Sequence, residues 1–371
     1  MLRNDNSNGE LTIFMPSFGK GGAERAALRL IQGLVAKNIK VNLVLATTYG
    51  DLRKELPGTV NIIDLNYKRT IYSIFALIRY LRKKKPDKVL SHIQRANRIL
   101  LFAKLLARVK TKIYIVEHTT ISQAIQSYSF VEKIIVKIAH RFLYNRAEKI
   151  IHVSKEAALD LEQHLHCEKN KIEVIYNPIV PDNLLLKNNG IAPPHPWFNE
   201  KIPVILSVGR LYYAKGYDVL INAFKIVQNT LDARLLILGN GNLRSQYQNQ
   251  INNLELQNKV QLAGFVSNVS DYMKYASLFV LSSRWEALPT VLIEALACGL
   301  PVISTNCKSG PSEILGYGKY GILVPVDDDE SLARGIIETL NNPTDKHLLI
   351  SRAKDFSIEK SVEKYIEVLN I

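Results

Sequence analysis

Two carboxylates eight residues apart, Glu286 and Glu294, stand in "RWEALPTVLIEALACGLPVIST", which runs from Arg284 to Thr305. The preceding "LFVLSS" reads as a strand, "RWEALP" as its loop, and "TVLIEALAC" as a short helix ended by Gly299. Pro289 suits the first helical position, where no N–H is needed. Glu286 is therefore expected at the strand's carboxyl end, and Glu294 one and a half turns into the helix. An ionised carboxylate only accepts hydrogen bonds, whereas sugars and ribose present pairs of hydroxyl donors. One acid on a hexose and the other on a ribose would span a nucleotide sugar, with the helix amino end between them holding the diphosphate.

Other residues offer complementary chemistry. In "SVGRLYYAKGYDVLINAF" (207–224), Arg210 and Lys215 flank a strand end. A guanidinium fork and an ammonium point charge make a clamp for a diphosphate leaving group, or else plain solvated surface. Gly239 and Gly241 in "LGNGNLR" lie in another strand-to-helix turn, where bare backbone would pass close to a nucleobase. "GKGGAER" (19–25) supplies Gly19, Gly21 and Gly22. These form either a tight turn or a backbone cradle for an anion or a sugar at a helix start. The loop is not GxGxxG, and no acid closes a strand about 20 residues on, which argues against a dinucleotide fingerprint.

The elements that must position these residues alternate. Strand "LTIFMP", helix "AERAALRLIQGLVAKN" and strand "KVNLVLAT" open the chain. Further units run through "IYSIFALIRYLRKKKP", "KVLSHI", "NRILLFAKLLARV", "IYIVEHT", "VEKIIVKIAHRFLYN", "KIIHVS" and "KEAALDLEQHL". Alternating strands and helices predict a doubly wound parallel sheet, an α/β class. Residues 176–200 carry five prolines and little periodicity, as a linker does. The alternation then restarts at "PVILSVGR" and runs to "ESLARGIIETL", a second unit of the same kind. "SIEKSVEKYIEVLNI" closes the chain as an amphipathic helix. The expected domains are 1–180, 181–354 and a C-terminal helix, 355–371, packing back on the first domain.

Charge divides the chain unevenly. Of 48 Lys+Arg and 34 Asp+Glu, residues 1–180 hold 30 basic and 15 acidic, so all the excess positive charge lies there. It is concentrated in 67–88, 97–112 and 130–146, where basic residues mix with apolar ones. Each helix either packs its stripe inward and solvates its charges, or faces an anionic membrane surface. No zinc finger, helix-turn-helix or RNA-binding pattern points to nucleic acid. The three cysteines, Cys167, Cys298 and Cys307, have no CxxC spacing and read as small buried residues in a reducing compartment. "MLRNDNSNGE" is too polar for a signal peptide, and no apolar run reaches the roughly 18 residues of a membrane span. A cytoplasmic, at most peripheral, protein is expected.

The ordered set "GKGGAER", "EHT" (117–119), "SVGRLYYAKGYDVLINAF", "LLILGNGNLR", "VQLAGFV", "SSRWEALPTVLIEALACGLPVIST" and "GPSEIL" resembles glycosyltransferase family 4. Its members are retaining enzymes of the GT-B fold, in which two Rossmann-like domains face a cleft. The resemblance covers most of the chain, more strongly in its second half. It implies that Arg210 and Lys215 bind the donor diphosphate, Glu286 the transferred sugar near the reacting carbon, and Glu294 the ribose. Leu288, Pro289, Thr290 and Val291 would turn backbone N–H groups to the phosphates, and Gly19, Gly21 and Gly22 would line the donor phosphate and acceptor side. His118, read alone, is a structural or surface residue; the resemblance reverses that and places it by the sugar's 6-hydroxyl and anomeric region.

The resemblance further implies transfer of a hexose or N-acetylhexosamine from a nucleotide sugar, UDP favoured, to a glycan acceptor linked to polyprenyl diphosphate. A soluble or protein acceptor, a nucleotide-sugar epimerase or hydrolase, and a non-enzymatic nucleotide-binding regulator are the alternatives. No cofactor is expected. Asp327 and Asp329 spell the DxD pattern that holds a divalent ion in other sugar transferases. Here they read as a helix N-cap and acidic first turn instead, since Arg210, Lys215 and a helix amino end already balance the diphosphate.

Overall fold

The computed structural model describes residues 9–19, 21–47, 49–67, 69–124, 129–165, 168–181 and 192–371. Lys20, Cys167 and most of the proline-rich segment lie outside them. Two compact units divide the chain, Met1–Pro178 with Ile358–Ile371, and Ile179–Ser357.

The first unit is built on seven strands, β1 (Glu10–Met15), β2 (Lys40–Leu45), β3 (Asn61–Asp64), β4 (Lys88–His92), β5 (Lys112–Glu117), β6 (Lys149–His152) and β7 (Ile172–Val174). All are parallel, in the order β3-β2-β1-β4-β5-β6-β7. Its helices are α1 (Gly22–Ala36), α2 (Ile74–Lys84), α3 (Gln94–Ala107), the short α4 (Ile121–Ala124), α5 (Phe130–Tyr144) and α6 (Lys155–Leu165). The chain winds one way from β1 to β3 and the other from β4 to β7. Right-handed crossovers therefore set α1 on one face and α2, α3, α5 and α6 on the other. Accordingly, α2 packs on α3, α3 on α5 and α5 on α6.

The second unit has six parallel strands, β8 (Val204–Val208), β9 (Arg234–Leu238), β10 (Val260–Gly264), β11 (Leu278–Leu281), β12 (Val302–Thr305) and β13 (Ile322–Val324). Their order, β10-β9-β8-β11-β12-β13, repeats the reversal. The helices are α7 (Tyr217–Val227), α8 (Arg244–Asn253), α9 (Val269–Tyr275), α10 (Thr290–Ala297), α11 (Pro311–Ile314), α12 (Asp329–Asn341) and α13 (Lys346–Ala353). Strands such as "VILSV" are buried at every position, as expected of a parallel sheet covered on both faces. The switch points of the two sheets, β1/β4 and β8/β11, each open a crevice at the strands' carboxyl ends.

The final helix, α14 (Ile358–Leu369), belongs to the first unit and lies on α1. Their approach needs Gly33, since a Cβ there would collide with Val362. Ser361 Oγ donates to the Tyr176 carbonyl at 2.9 Å, and Lys88 Nζ to that of Asn370 at 2.6 Å. The sequence pattern does not reveal β3, β7 and α13. The first two are edge strands of four and three residues, too short to show a period. Among the described residues no helix is long and apolar enough to cross a membrane.

Candidate active site

In the second unit the loop after β8 and the loop after β11 are fastened together. Ser282 Oγ donates to the Lys215 carbonyl at 2.8 Å, and the Arg284 backbone N–H to the Ala214 carbonyl at 2.8 Å. Gly216 takes φ +60°, and a Cβ there would collide with the Ser282 carbonyl oxygen, so only glycine lets the two backbones meet. Arg284 is the rivet. Its guanidinium holds Asp218 through two bonds, of 2.7 and 3.0 Å, and the Tyr213 carbonyl at 2.8 Å. Its Nε lies 2.7 Å from Asp327 Oδ1. The Tyr213 ring sits 4.0 Å below it, and only 8% of the side chain is exposed.

Two site candidates meet on this frame. Lys215 Nζ lies 2.5 Å from Glu286 Oε1, which also accepts from Ser283 Oγ at 2.7 Å. The side chains are 21% and 14% exposed, reachable yet largely shielded from water. Arg210 is exposed beside them in the chain, its guanidinium 5.1 Å from the Tyr212 ring centre, and has no acidic partner among the described residues. Below Glu286, Tyr217 is wholly buried, and burial raises its hydroxyl far above the usual phenol range. Cys307 is likewise pushed up to about 12 by burial, with Glu286 adding to the shift, and Cys298 to about 11. Both thiols stay protonated at neutral pH.

The turn Ala287–Pro289 leads into α10. Gly310, at φ +95°, backs it: a Cβ there would stand 2.7 Å from Pro289 Cδ and 2.9 Å from the Ala287 carbonyl. Pro289 is the N-cap rather than the first helical residue, so the helix begins at Thr290. Pro289 itself makes no side-chain cap bond to this amino end. Pro289 has no N–H, which leaves Leu288, Thr290 and Val291 as the backbone donors of the stretch. Glu294 is partly buried four residues past Thr290, about 6 Å along the axis.

Gly239 and Gly241 have a packing reason. A Cβ on Gly239 would strike the Gly209 carbonyl oxygen, and one on Gly241 that of Leu211. The Gly209 N–H donates to Leu238, and the Leu211 N–H to Asn240, so the β8 and β9 loops run against each other as bare backbone. Asp327 and Asp329 separate in role. Asp327 is held by Arg284, and the N-cap of α12 is Asp328, whose side chain accepts from the Ser331 N–H at 2.8 Å. The cap expected from the DxD run is thus its middle residue. Among the described residues no three His, Cys, Asp or Glu side chains gather as a metal set.

In the first unit, Gly21 is the N-cap of α1, and the helix starts at Gly22. A Cβ on Gly21 would collide with Glu24 Oε2, and one on Gly19 would lie 3.6 Å from Glu24 Oε1, whereas one on Gly22 meets nothing. The carboxylate of Glu24 thus folds back over the glycine loop, where the helix amino end favours negative charge. Glu24 is absent from the sequence-based candidates, although its place three residues after the cap is a known capping position.

His118 follows β5 and does not stand alone. Its Nε2 lies 3.2 Å from His92 Nδ1, with the rings stacked at 5.5 Å. His92 ends β4 and His152 ends β6, so three neighbouring strands each close near a histidine. Burial lowers His92 to about 3 and His152 to about 4. Burial also holds His118 well below the usual range, with His92 and His152 contributing, so the cluster is neutral at pH 7. Behind it, buried Glu117 accepts from Asn97 Nδ2 at 2.7 Å and the Tyr144 hydroxyl at 2.5 Å, and burial raises it to about 7. The signal for His92 and His152 was present as "SHI" and "IHV" at strand ends, alongside "EHT".

Residues 193–356 match the family described as "Glycosyl transferases group 1", and residues 20–183 match "Glycosyltransferase Family 4". An uncharacterized glycosyltransferase of Methanocaldococcus jannaschii is 32% identical over 78% of this chain and 81% of its own. This chain is a glycosyltransferase of the family 4 type. A Campylobacter jejuni relative of this glycosyltransferase is 31% identical over 93% of this chain and 94% of its own. It is named N-acetylgalactosamine-N,N'-diacetylbacillosaminyl-diphospho-undecaprenol 4-alpha-N-acetylgalactosaminyltransferase. The fold of the glycosyltransferase is GT-B. Anabaena HepE in complex with UDP superposes with a TM-score of 0.77 at 20% identity, covering 97% of this chain and 99% of that one.

Proposed function

We propose that this glycosyltransferase moves a hexose or N-acetylhexosamine, with retention, from a UDP-sugar to a hydroxyl of a polyprenyl-diphosphate-linked glycan. It works without a metal, at an anionic cytoplasmic membrane face. The observation that carries the reading is the cluster at the carboxyl ends of β8 and β11. There an exposed guanidinium (Arg210), an ammonium (Lys215), a shielded carboxylate (Glu286) and the amino end of α10 share one switch point.

Arg210, Lys215 and the N–H groups of Leu288, Thr290 and Val291 take the diphosphate, neutralising charge as the sugar leaves. Glu286 accepts from hydroxyls of the transferred sugar, Glu294 from the ribose, and His118 acts by the anomeric region as a neutral imidazole. Gly19, Gly21 and Gly22 line the donor phosphate and acceptor side, with Glu24 yielding its place. The leaving phosphate takes the acceptor proton, so the protein supplies positioning and electrostatics. The lipid-linked acceptor is supported by the name of the Campylobacter relative and by the basic first unit. The UDP donor is supported by the ligand named for Anabaena HepE.

The test is incubation with UDP-GlcNAc, UDP-GalNAc or UDP-glucose and a polyprenyl-diphosphate disaccharide. The expected product is an extended lipid-linked glycan whose new anomeric proton matches the donor's configuration by NMR. Inversion, or conversion of donor in the absence of acceptor, would overturn the assignment; equal transfer to water-soluble glycans would remove the lipid.

A further inference from the structure

α5 is apolar on the side that faces water. Phe130, Val131, Ile134, Ile138 and Phe142 are all exposed, from 44% at Ile134 to 79% at Phe130. At about 100° per residue these five fall within an arc of roughly 120°. The inward arc is separate and carries His140 and Tyr144, both buried. A solvated surface helix puts charge at its outward pole, whereas this one has its phenylalanines and isoleucines there. α3, packed beside it, adds exposed Phe102, Leu105 and Leu106. An apolar area of this size on a water-facing helical layer calls for an occupant.

The charges identify that occupant. Lys137 and Arg141 lie four residues apart along one edge of the apolar arc, and the Arg146 guanidinium lies 3.5 Å over the Phe142 ring. The helix sequence holds one acid, Glu132. α2, on the far side of α3, ends in Arg82, Lys83 and Lys84. Large apolar side chains flanked by a basic rim are the pattern of a helix lying in the plane of a membrane interface. The apolar arc enters the acyl boundary, and the lysines reach anionic headgroups.

We propose that the outward face of α5, continued by α3, is the surface on which this protein docks to a bilayer of anionic phospholipid. The proposal gives the lipid-linked acceptor reading its contact surface and rests on that reading only for its purpose. Partition combines apolar insertion with electrostatic attraction, and neither part suffices alone.

Flotation with vesicles of phosphatidylglycerol and phosphatidylcholine in equal parts, and of phosphatidylcholine alone, tests it. Wild type floats with the first at low salt and hardly with the second. Lys137→Glu and Arg141→Glu each lower partition by about fivefold or more, from the attraction of a single basic residue near such a surface. The double variant Phe130→Ser with Ile138→Ser lowers it at least tenfold. UDP binding by thermal shift stays unchanged in all of them, which shows that they are folded. Phe130→Trp emission moves to the blue with anionic vesicles and is quenched by brominated acyl chains. Flotation undiminished in the serine double variant, or an unquenched tryptophan, overturns the proposal. So does a wild-type dimer that does not float and that the serine substitutions dissociate. Vesicle binding without any sugar transfer would leave the docking surface standing and remove the proposed reaction.

Discussion

Lys215 and Glu286 form one ion pair, Nζ to Oε1 at 2.5 Å, across two loops 71 residues apart in the chain. The cation proposed for the diphosphate and the carboxylate proposed for the transferred sugar are therefore oriented by each other. In the proposed reading, a donor sugar would meet a carboxylate already fixed by Lys215 and Ser283. Such preorganisation favours the transition state, because little rearrangement is left to the reaction. Glu286→Gln keeps the shape and the Ser283 bond and loses the charge. Transfer should fall at least a hundredfold, about 2.7 kcal/mol or more, with UDP affinity little changed. Turnover within a few-fold of wild type would take Glu286 out of the chemistry.

Arg210→Ala and Lys215→Ala should weaken UDP more than uridine, by about 1–3 kcal/mol each, since the proposed contacts go to phosphate alone. Glu294→Ala should weaken both ligands alike, because its proposed partner is the ribose. Calorimetry with the two ligands separates these patterns. A parallel loss for the arginine and lysine variants would count against the diphosphate clamp.

Arg284 acts on the site through the frame. Arg284→Ala leaves Asp218 and Asp327 facing each other without their cation and frees the Tyr213 turn that carries Lys215. The expected cost is about 1–3 kcal/mol, discounted because both acids are partly exposed. Arg284→Lys should recover only part of it, since an ammonium cannot make the two parallel bonds to Asp218. Urea denaturation together with kcat/KM reads both effects. A lysine variant equal to wild type in both would show that the fork is dispensable.

Stability should depend on pH with two opposing signs. Burial lowers His140 to about 4 and His92 to about 3, so the unfolded chain binds those protons more readily. Their contribution is full above about 6.5 and is lost as pH falls towards 4. Glu117 is raised from 4.5 to about 7, so its contribution is present below 4.5 and is lost as pH rises through 7. Neither nitrogen of His140 has a hydrogen-bond partner among the described residues, so His140→Phe should stabilise the protein, and more at pH 5 than at pH 8. Glu117→Gln should do the reverse, stabilising at pH 8 by up to about 3 kcal/mol while keeping an acceptor for Tyr144 and Asn97. Denaturation curves at the two pH values that shift equally for both variants would show that these groups do not set the dependence.

Transfer should persist in excess EDTA. Asp327 is held by Arg284 and Asp328 caps α12, so the acidic run already has structural work. Asp327→Asn with Asp329→Asn should keep most activity at a small cost in stability. Loss of turnover in EDTA, restored by magnesium or manganese, would overturn the metal-free reading.

The alternation of apolar strands and amphipathic helices was legible because each local period reports which face is buried. It gave both sheets, most of the helices, and the loops carrying Gly19, His118, Arg210 and Glu286. The edge strands β3 and β7 were not legible, since three or four residues carry no period. Partnership was not legible either. That Glu24 folds over the glycine loop, that His92 stacks on His118, and that Arg284 takes Asp327 depends on side chains meeting across neighbouring elements. Sequence spacing cannot state those distances. The basic, apolar helices of the first half left two readings open, because periodicity shows that a stripe exists and not whether the fold covers it. Only tertiary packing decided the point. α5 turns His140 and Tyr144 inward and leaves Phe130, Ile134 and Ile138 in water, because one helix has a single face to give to the core.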